Sequence, residues 1–483
     1  MKKIRYIALG AIICGLIIAA IGCSFLFTNN ILVKPEVTAD DYIKDGNIYL
    51  DDGNYSMAVA SYEKGLEMSA DNIDILCGMA KAYAGLGYYE EEKACREKLT
   101  ELCPDDEENW IGLVLVKLNL KELEEAKELT KKLMEQYDNK EIEELYEQMD
   151  VKKPVFNIEA GTYDSYQFLE LKEIPDNVSI YYTTDGSDPT ENSMMYTEGI
   201  VVSYPQSVIK AIAIGHLGYQ SEVTELKYEI TVPIQDVSKK HFQHLWSIKD
   251  YLKKNGDSPL YNYEIAQIRS VYLLGDYSAG FEEEDEVVFH KDYYERYSSS
   301  YERMGEGDIE FLAYMPFVKK VCIGYQKNLD ISVLENLTYL EELSLLNCNI
   351  TDINVMKKLN KLKKLALGWN QIEDVTVLGE LTQLESLGLW DNKIKDISAL
   401  ENMDNLRYFD VSGNQIESID CIKNMSKLGE LWIADNQIND FTPLASCEGL
   451  NVLMAGGNPA AEDYVLQENM DKLGQTDIRL GGE

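Results

Sequence analysis

Hydrophobic and polar positions in the C-terminal half of the chain repeat every 22 residues, as from Asn370 to Asn392. Each repeat opens with alternating apolar positions, as in Leu362-x-x-Leu365-x-Leu367, which predict one short strand. A unit this short buries its apolar face by stacking on its neighbours, so the pattern predicts a solenoid with one long strand-lined face. Two polar rows keep the same period: Asn370, Asn392, Asn414, Asn436 and Asn458; and Asp308, Asp330, Asp352, Asp374, Asp396 and Asp440, with Ser418 standing in once.

The apolar phrase and its closing asparagine resemble internalin-like leucine-rich repeats. The resemblance implies an α/β-type solenoid with strands on one side and a 3₁₀ or short helical turn opposite. We place this domain at 237–483, with a degenerate first strand at 268–276 and Gln326 and Cys348 in the asparagine row. We expect a helical cap at 241–255 that buries His244, Trp246 and Leu252, and a capping helix at 464–473. An acidic, tyrosine-rich insert between residues 276 and 308 is expected to be a loop, with a shielding flap as the alternative.

Residues 39–150 show a helical pattern with a period of 34 residues, in which Tyr49, Gly53 and Tyr55 are matched by Tyr83, Gly87 and Tyr89. The pattern resembles the tetratricopeptide repeat, in which small residues let two helices cross closely while aromatic residues fill the groove between units. Residues 141–149 are expected to form a capping helix. An ordinary helical bundle is the alternative interpretation.

Residues 154–233 alternate apolar and polar positions between closely spaced turn signals, a pattern that predicts a small β-sandwich. Asp185-Gly186 is a pair that favours a tight turn. The stretches 180–190 and 208–213 resemble the chitobiase/β-hexosaminidase C-terminal-type domain. The resemblance implies a spacer or a weak glycan contact, and not a catalytic unit.

The N-terminus predicts attachment to a membrane. Basic residues in Met1–Tyr6 precede Ile7–Phe27, 21 residues without a charge, which is long enough to cross a bilayer. We therefore predict a signal-anchor or transmembrane segment at 1–30, with the rest of the chain outside the cytoplasm of a bacterium. Ala20-Ile21-Gly22-Cys23 also resembles a lipobox, so a lipoprotein with lipidated Cys23 is the first alternative, and a secreted form is the second.

Charge and composition exclude several functions. The formal net charge of −39 argues against nucleic acid, which is bound by lysine and arginine. Of the nine cysteines, Cys14 and Cys23 lie in the predicted anchor. The other seven contain no CxxC pair and are expected to be free thiols, mostly in the core, with Cys322 on a strand position that faces outward. The four histidines and the absence of nucleophile and phosphate-loop motifs predict no catalysis, no cofactor and no metal site.

The strand geometry identifies candidate binding residues. Alternation sends the third, fifth and seventh positions of each repeat to the concave face, and the eighth position lies at its edge. Since adjacent strands lie about 4.8 Å apart, aromatic side chains at these positions are expected to form one exposed surface. We define the concave patch as Tyr325, Trp369, Trp390, Tyr408, Asp410, Glu430 and Trp432.

The four modules together predict a multidomain chain: a membrane anchor, a helical repeat array, a β-sandwich and a leucine-rich solenoid. We expect a single-pass protein of the cell membrane that captures a protein partner on the concave patch, while the helical repeats organise a second partner near the membrane. Glycan binding by the patch and a purely architectural spacer remain alternatives.

Overall fold

The structure, a computed structural model, describes residues 37–173, 177–240, 245–274, 278–280, 308–326, 329–462 and 477–479. The predicted anchor with Cys23, most of the acidic insert and the predicted helix at 464–473 lie outside these residues. Within the described ranges, no helix combines the length and apolar composition that a membrane crossing requires. The chain divides into two compact units: the first ends at Asp150 and includes Leu217–Tyr219, and the second comprises the remaining residues from Val151 onward.

The first unit is an array of helices joined by short turns. The predicted capping helix is present as the last of them. The helices are α1 (Ala39–Asp51), α2 (Tyr55–Met68), α3 (Ile73–Leu86), α4 (Tyr89–Leu102), α5 (Glu107–Asn119), α6 (Leu123–Gln136) and α7 (Lys140–Met149).

Tyr62 on α2 holds the first helices together. Its side chain is fully buried, and its hydroxyl donates a hydrogen bond of 2.6 Å to Asn47 Oδ1. A Cβ atom added at Gly46 or Gly78 would lie 2.4 or 2.3 Å from the Tyr62 ring. The two glycines therefore provide the space for the ring, which is the close packing that the sequence pattern predicts.

The N-terminal part of the second unit contains two small sheets over a common core. A five-stranded sheet has the order β1-β7-β6-β3-β4, and β2 pairs with β5. Leu169, Ile180 and Ile209 are among the buried residues between them. In the turn after β3, Gly186 has a φ of +81°, which favours glycine. The strands are β1 (Gly161–Tyr163), β2 (Gln167–Leu169), β3 (Val178–Thr183), β4 (Met194–Met195), β5 (Ile200–Val202), β6 (Gln206–Gly215) and β7 (Thr224–Ile230).

The rest of the second unit is the solenoid. It opens with helices α8 (Leu245–Tyr251) and α9 (Asn262–Ile265). Its strands then form one sheet that is parallel except for β9. From β10 to β16, each paired residue lies opposite the residue 22 positions later, as Leu343 does with Leu365. The strands are β8 (Ser270–Leu274), β9 (Ser278–Gly280), β10 (Lys320–Gly324), β11 (Glu342–Leu346), β12 (Lys364–Ala366), β13 (Ser386–Gly388), β14 (Tyr408–Asp410), β15 (Glu430–Trp432), β16 (Val452–Met454) and β17 (Asp477–Arg479).

Short 3₁₀ helices lie between the strands, as the repeat pattern predicts. The aspartate row caps several of them: Asp374 Oδ1, for example, accepts a hydrogen bond of 2.8 Å from the Thr376 N–H. The predicted first strand is β8, which pairs in parallel with β10. The 3₁₀ helices of the second unit are Val237–Lys239, Glu310–Tyr314, Ile331–Asn336, Asn354–Lys358, Thr376–Glu380, Ser398–Leu400, Asp420–Asn424, Thr442–Ser446 and Pro459–Glu462.

The asparagine row satisfies backbone groups inside the solenoid. The Asn392 amide donates to the carbonyls of Leu367 and Leu389 at 2.9 and 3.1 Å, and its Oδ1 accepts from the Ile372 N–H at 3.0 Å. These partners belong to two successive repeats, so each asparagine joins its own repeat to the previous one. The buried thiol of Cys348, in the same row, makes a contact of 3.2 Å with the Leu346 carbonyl.

The β-sandwich packs directly against the start of the solenoid. Phe168 on β2 is almost fully buried, stacks on Phe317 with ring centroids 5.4 Å apart, and meets the edge of Tyr339 at 5.1 Å. The Gln267 amide donates a hydrogen bond of 2.6 Å to Ser203 Oγ. The two modules therefore share an aromatic and polar interface within one compact unit.

Two expectations about individual side chains were wrong. Trp246 is 71% exposed on α8, because that short helix turns Ile248 inward in its place. Cys322 stands in the same strand column as Ser344 and Ala366, on the concave side as predicted, but it is buried there and not exposed, in a cluster with Leu346, Ala366 and Trp390. The seven cysteines within the described residues are free thiols, and burial raises the pKa of Cys348 and Cys421 to about 12.

Candidate functional site

The parallel strands bring the residues of the concave patch together from neighbouring repeats. Tyr408 is paired with Glu430, and Asp410 with Trp432, across β14 and β15. Trp369 and Trp390 each follow the end of a strand, and their ring centroids lie 5.8 Å apart at 89°. The predicted register is therefore correct, and it places these aromatic and acidic side chains on neighbouring strands of one sheet.

Trp390 is not exposed, which corrects the central expectation for the patch. Its relative exposure is 0%. A Cβ atom added at Gly368 or Gly388 would lie 2.1 or 2.3 Å from its indole ring. The ring therefore lies flat over the backbone of two neighbouring strands, where the absence of side chains leaves room for it, and does not stand outward.

Asp410 and Tyr325 are also buried, at 0% and 6% exposure. Asp410 Oδ1 accepts hydrogen bonds from the N–H of Ser412 at 2.9 Å and from its hydroxyl at 2.6 Å, and the Tyr408 hydroxyl donates to Asp410 Oδ2 at 3.2 Å. These bonds explain the position of Asp410: its carboxylate organises the end of β14 and does not form the exposed charged border that the sequence predicted.

The accessible part of the concave patch consists of four half-buried residues: Trp369, Tyr408, Glu430 and Trp432. The Trp432 Nε1–H donates a hydrogen bond of 2.7 Å to Glu430 Oε1. This bond fixes the orientation of the indole beside a carboxylate. An oriented aromatic ring next to an acidic group can pack against an apolar stem and attract a positive charge at its end.

The eighth position of each repeat has a left-handed backbone, a property that the sequence reasoning missed. Glycine adopts this conformation freely, and asparagine and aspartate adopt it more readily than other residues. The repeated occurrence of glycine, asparagine and aspartate at the eighth position was the signal from which the left-handed backbone could have been predicted. The residues and their φ angles are Tyr325 (57°), Asn347 (52°), Trp369 (55°), Asp391 (49°), Gly413 (66°), Asp435 (53°) and Gly457 (69°).

Three kinds of domain in this chain match known families. Residues 46–87 match a TPR repeat family, and 73–106 match the tetratricopeptide repeat. Residues 158–225 match the chitobiase/beta-hexosaminidase C-terminal domain. Residues 382–424 and 404–446 match the leucine-rich repeats. The chain thus contains the three domain types that its sequence patterns resemble, and these domains are typically not catalytic.

Solved structures with similarity to this chain include two internalins of Listeria monocytogenes. Internalin C2 is 24% identical, with a TM-score of 0.40, over 48% of this chain and 90% of its own. A second internalin is 20% identical, with a TM-score of 0.30, over 48% and 86%. A leucine-rich repeat protein of Leptospira interrogans is 16% identical, with a TM-score of 0.31, over 41% and 59%. The comparison with curated proteins gave no match.

Proposed function

We propose that this chain is a binding protein whose solenoid captures a protein partner on the accessible part of the concave patch. The observation that carries the proposal is the set of half-buried residues Trp369, Tyr408, Glu430 and Trp432, since the apolar core of the solenoid is formed by other positions. Tryptophan and tyrosine in partly enclosed positions are typical of residues that dominate binding energy in protein interfaces. The presence of two repeat families with large surfaces is consistent with protein partners.

We further propose that the protein is tethered to the bacterial cell membrane through residues 1–30, with the remainder outside the cytoplasm. The basic start and the uncharged run of Ile7–Phe27 support this arrangement. In this arrangement, the helical repeats follow the membrane segment in the sequence, and they organise a second partner near the membrane. Mass analysis of the mature N-terminus distinguishes an intact anchor from a chain that begins at a lipidated Cys23.

The test of concave-patch binding uses Trp432→Ala. Trp390→Ala is unsuitable, because removing a fully buried indole leaves a cavity and costs about 3–5 kcal/mol of stability. The full chain is used to isolate partners from cell-surface extract, and each captured protein is then purified and titrated by calorimetry. We expect Trp432→Ala to weaken its affinity at least tenfold, equivalent to about 1.4 kcal/mol.

Trp246→Ala is the matched control, because it removes an exposed tryptophan outside the repeats. It should leave the affinity unchanged. Equal binding by Trp432→Ala and the wild type would refute the concave patch as the binding surface. If the wild type retains polysaccharide and Trp432→Ala does not, while both capture protein equally well, the ligand of the concave patch is a glycan and not a protein.

A further inference from the structure

The left-handed eighth position carries two residues that its backbone does not favour. We name the row Tyr325, Asn347, Trp369, Asp391, Gly413, Asp435 and Gly457 the eighth-position ridge. Five of these residues are glycine, asparagine or aspartate, the types suited to a left-handed backbone. Tyr325 and Trp369 are the exceptions, and Trp369 is the one that is half-buried.

The backbone has no need of an aromatic residue at this position. The Trp369 N–H donates to the Trp390 carbonyl at 3.0 Å, the Asn347 N–H to the Gly368 carbonyl at 3.1 Å, and the Asp391 N–H to the Ser412 carbonyl at 2.8 Å. The same bond therefore forms with tryptophan, asparagine or aspartate. The Trp369 ring packs on the edge of Trp390 but stays half-buried, and a residue kept in a strained backbone conformation that its hydrogen bond does not select indicates a role for its side chain in function.

The charged residues on the concave face of the solenoid indicate the chemistry of the ligand. From Ser386 to Gly457, every charged residue at the third, fifth, seventh and eighth positions is acidic: Asp391, Asp410, Glu430 and Asp435. In the earlier repeats, the Lys364 ammonium is paired with Glu342 Oε1 at 3.2 Å. Asp410 is buried, so the later repeats present the carboxylates of Asp391, Glu430 and Asp435, and Asp391 lies in the repeat next to that of Trp369.

The acidic side chains of the ridge lean toward the next repeat. A Cβ atom added at Gly413 would lie 2.3 Å from Asp391 Oδ1, and one added at Gly457 would lie 2.1 Å from Asp435 Oδ1. Aspartate and glycine thus alternate along the ridge, and each glycine leaves room for the preceding carboxylate. The result is two carboxylates, those of Asp391 and Asp435, placed two repeats apart on the C-terminal side of Trp369.

We propose that the eighth-position ridge determines the specificity of the concave surface, and that it accepts a segment of a protein partner rich in lysine or arginine. Trp369 packs against the aliphatic part of a basic side chain, and the carboxylates of Asp391 and Asp435 attract its charged end. This inference rests on the proposed protein-binding function and adds the chemistry of the partner.

The test measures binding of fluorescent synthetic peptides to the full chain by anisotropy, at physiological ionic strength. One peptide alternates lysine and arginine with serine, and its counterpart carries glutamate in place of the basic residues. We expect the basic peptide to bind and the acidic peptide not to bind. Trp369→Asn should lower the affinity for the basic peptide at least about tenfold, the loss typical of a dominant interface residue.

One further variant, together with the thermal stability of Trp369→Asn, distinguishes the contribution of the ring to binding from its contribution to the fold. Trp369→Phe keeps an aromatic ring and should retain most of the affinity. Trp369→Asn relieves the left-handed strain but loses the ring contact with Trp390, so we expect its thermal midpoint to stay within about 2 °C of the wild type. A loss of binding without a loss of stability therefore identifies a specificity-determining side chain.

Matched controls address the large net negative charge of the protein, which attracts basic peptides without specificity. Asp391→Asn combined with Asp435→Asn should weaken binding, whereas Glu90→Gln combined with Glu91→Gln, exposed acids of α4, should not. Equal effects of the two pairs, or wild-type affinity in Trp369→Asn, would overturn the inference. A captured partner that depends on Trp432 but not on Trp369 would also overturn it, while leaving the proposed function intact.

Discussion

The two repeat arrays of this protein pack similar units with different chemistry. In the helical array, the buried Tyr62 ring is enclosed by Gly46 and Gly78, and the contact depends on volume. In the solenoid, the Asn392 amide bonds to backbone groups of two repeats, and the contact depends on polar groups being satisfied. The Tyr62 contact is therefore expected to tolerate substitutions that keep the same volume. The Asn392 contact is expected to tolerate substitutions that keep the same hydrogen bonds.

The ends of the helical segments differ in the same way. The α3 and α7 helices are capped by the neutral side chains of Asn72 and Asn139, which accept from the N–H groups of Ile75 and Glu141, whereas α5 is capped by the carboxylate of Asp106. The solenoid turns are capped by carboxylates such as that of Asp374. A neutral cap does not respond to pH in the range where a carboxylate does. Because carboxylate caps recur from repeat to repeat in the solenoid, we expect the solenoid to be the more sensitive of the two arrays to acid.

The largest effect is expected for Asn392→Leu in the solenoid. The Ile372 N–H would lose the Asn392 Oδ1 to which it donates at 3.0 Å, and a buried donor without a partner costs about 1–3 kcal/mol. The hydrogen bond from the Asn392 amide to the Leu367 carbonyl would also be lost. We expect the free energy of unfolding of the solenoid to fall by about 2–3 kcal/mol, measured by urea denaturation with tryptophan fluorescence.

The chain offers its own control for that experiment, because Cys348 stands in the asparagine row. Asn392→Cys should cost less than Asn392→Leu, since a thiol at this position contacts backbone carbonyls. Equal losses for the two variants would show that the row is maintained by volume, as in the helical array, and would remove the contrast between the arrays.

A smaller effect is expected for Gly78→Ala in the helical array. The added Cβ would lie 2.3 Å from Tyr62 Cζ, and overpacking of a buried site costs about 1–3 kcal/mol. Alanine favours a helix over glycine by about 1 kcal/mol, so we expect a net loss of up to about 2 kcal/mol. Urea denaturation followed by circular dichroism at the helical minimum measures it.

Gly65→Ala is the matched control on α2. Its added Cβ would lie 2.8 Å from the end of the flexible Ile75 side chain, which can move aside. We expect this variant to be as stable as the wild type or slightly more stable. If Gly78→Ala were equally well tolerated, packing against Tyr62 would not be the contact that limits the helical array.

The periodic parts of the fold could be predicted from the sequence because each repeated residue meets one fixed physical need. Asn392 and Asp374 stand in rows whose spacing gives the strand register directly, and the structure shows this register in the pairing of Leu343 with Leu365. In the helical array, the repeated tyrosines and glycines likewise predicted close helix packing in general, although the contact of Gly78 with Tyr62 was found only in the structure. Because the same residue type recurs at the same position in several repeats, the prediction of its structural role rests on several observations.

The side chains of the binding surface could not be predicted in the same way. Alternation gives the side of the strand from which Trp390 leaves, but not its rotamer, and the ring lies over Gly368 and Gly388 because both lack a side chain. The two glycines are visible in the sequence, but their spacing alone does not show that the ring lies over them. Trp369 was predicted on the patch, but its left-handed backbone was not.

The smallest effect per residue is expected from acid acting on the aspartate caps of the solenoid. The Thr376 side-chain hydroxyl and then its backbone N–H lower the pKa of Asp374 from its ordinary value of 3.8. Backbone N–H groups, followed by hydroxyls, of Ser332 and Ser398 likewise lower the pKa of Asp330 and Asp396. Because the folded state favours the charged form, these carboxylates stabilise the solenoid above the ordinary aspartate pKa. That contribution is lost as the pH falls below about 4 toward the lowered values.

Replacing all three caps by asparagine keeps an acceptor oxygen and removes the charge. We expect the triple variant to be slightly less stable than the wild type at pH 7, because an ionised acceptor forms the stronger hydrogen bond. Between pH 7 and pH 3.5, its urea midpoint should fall less than that of the wild type, as followed by tryptophan fluorescence. Equal falls in both proteins would mean that the acid response arises elsewhere, and that the charged caps do not distinguish the solenoid from the asparagine-capped helices.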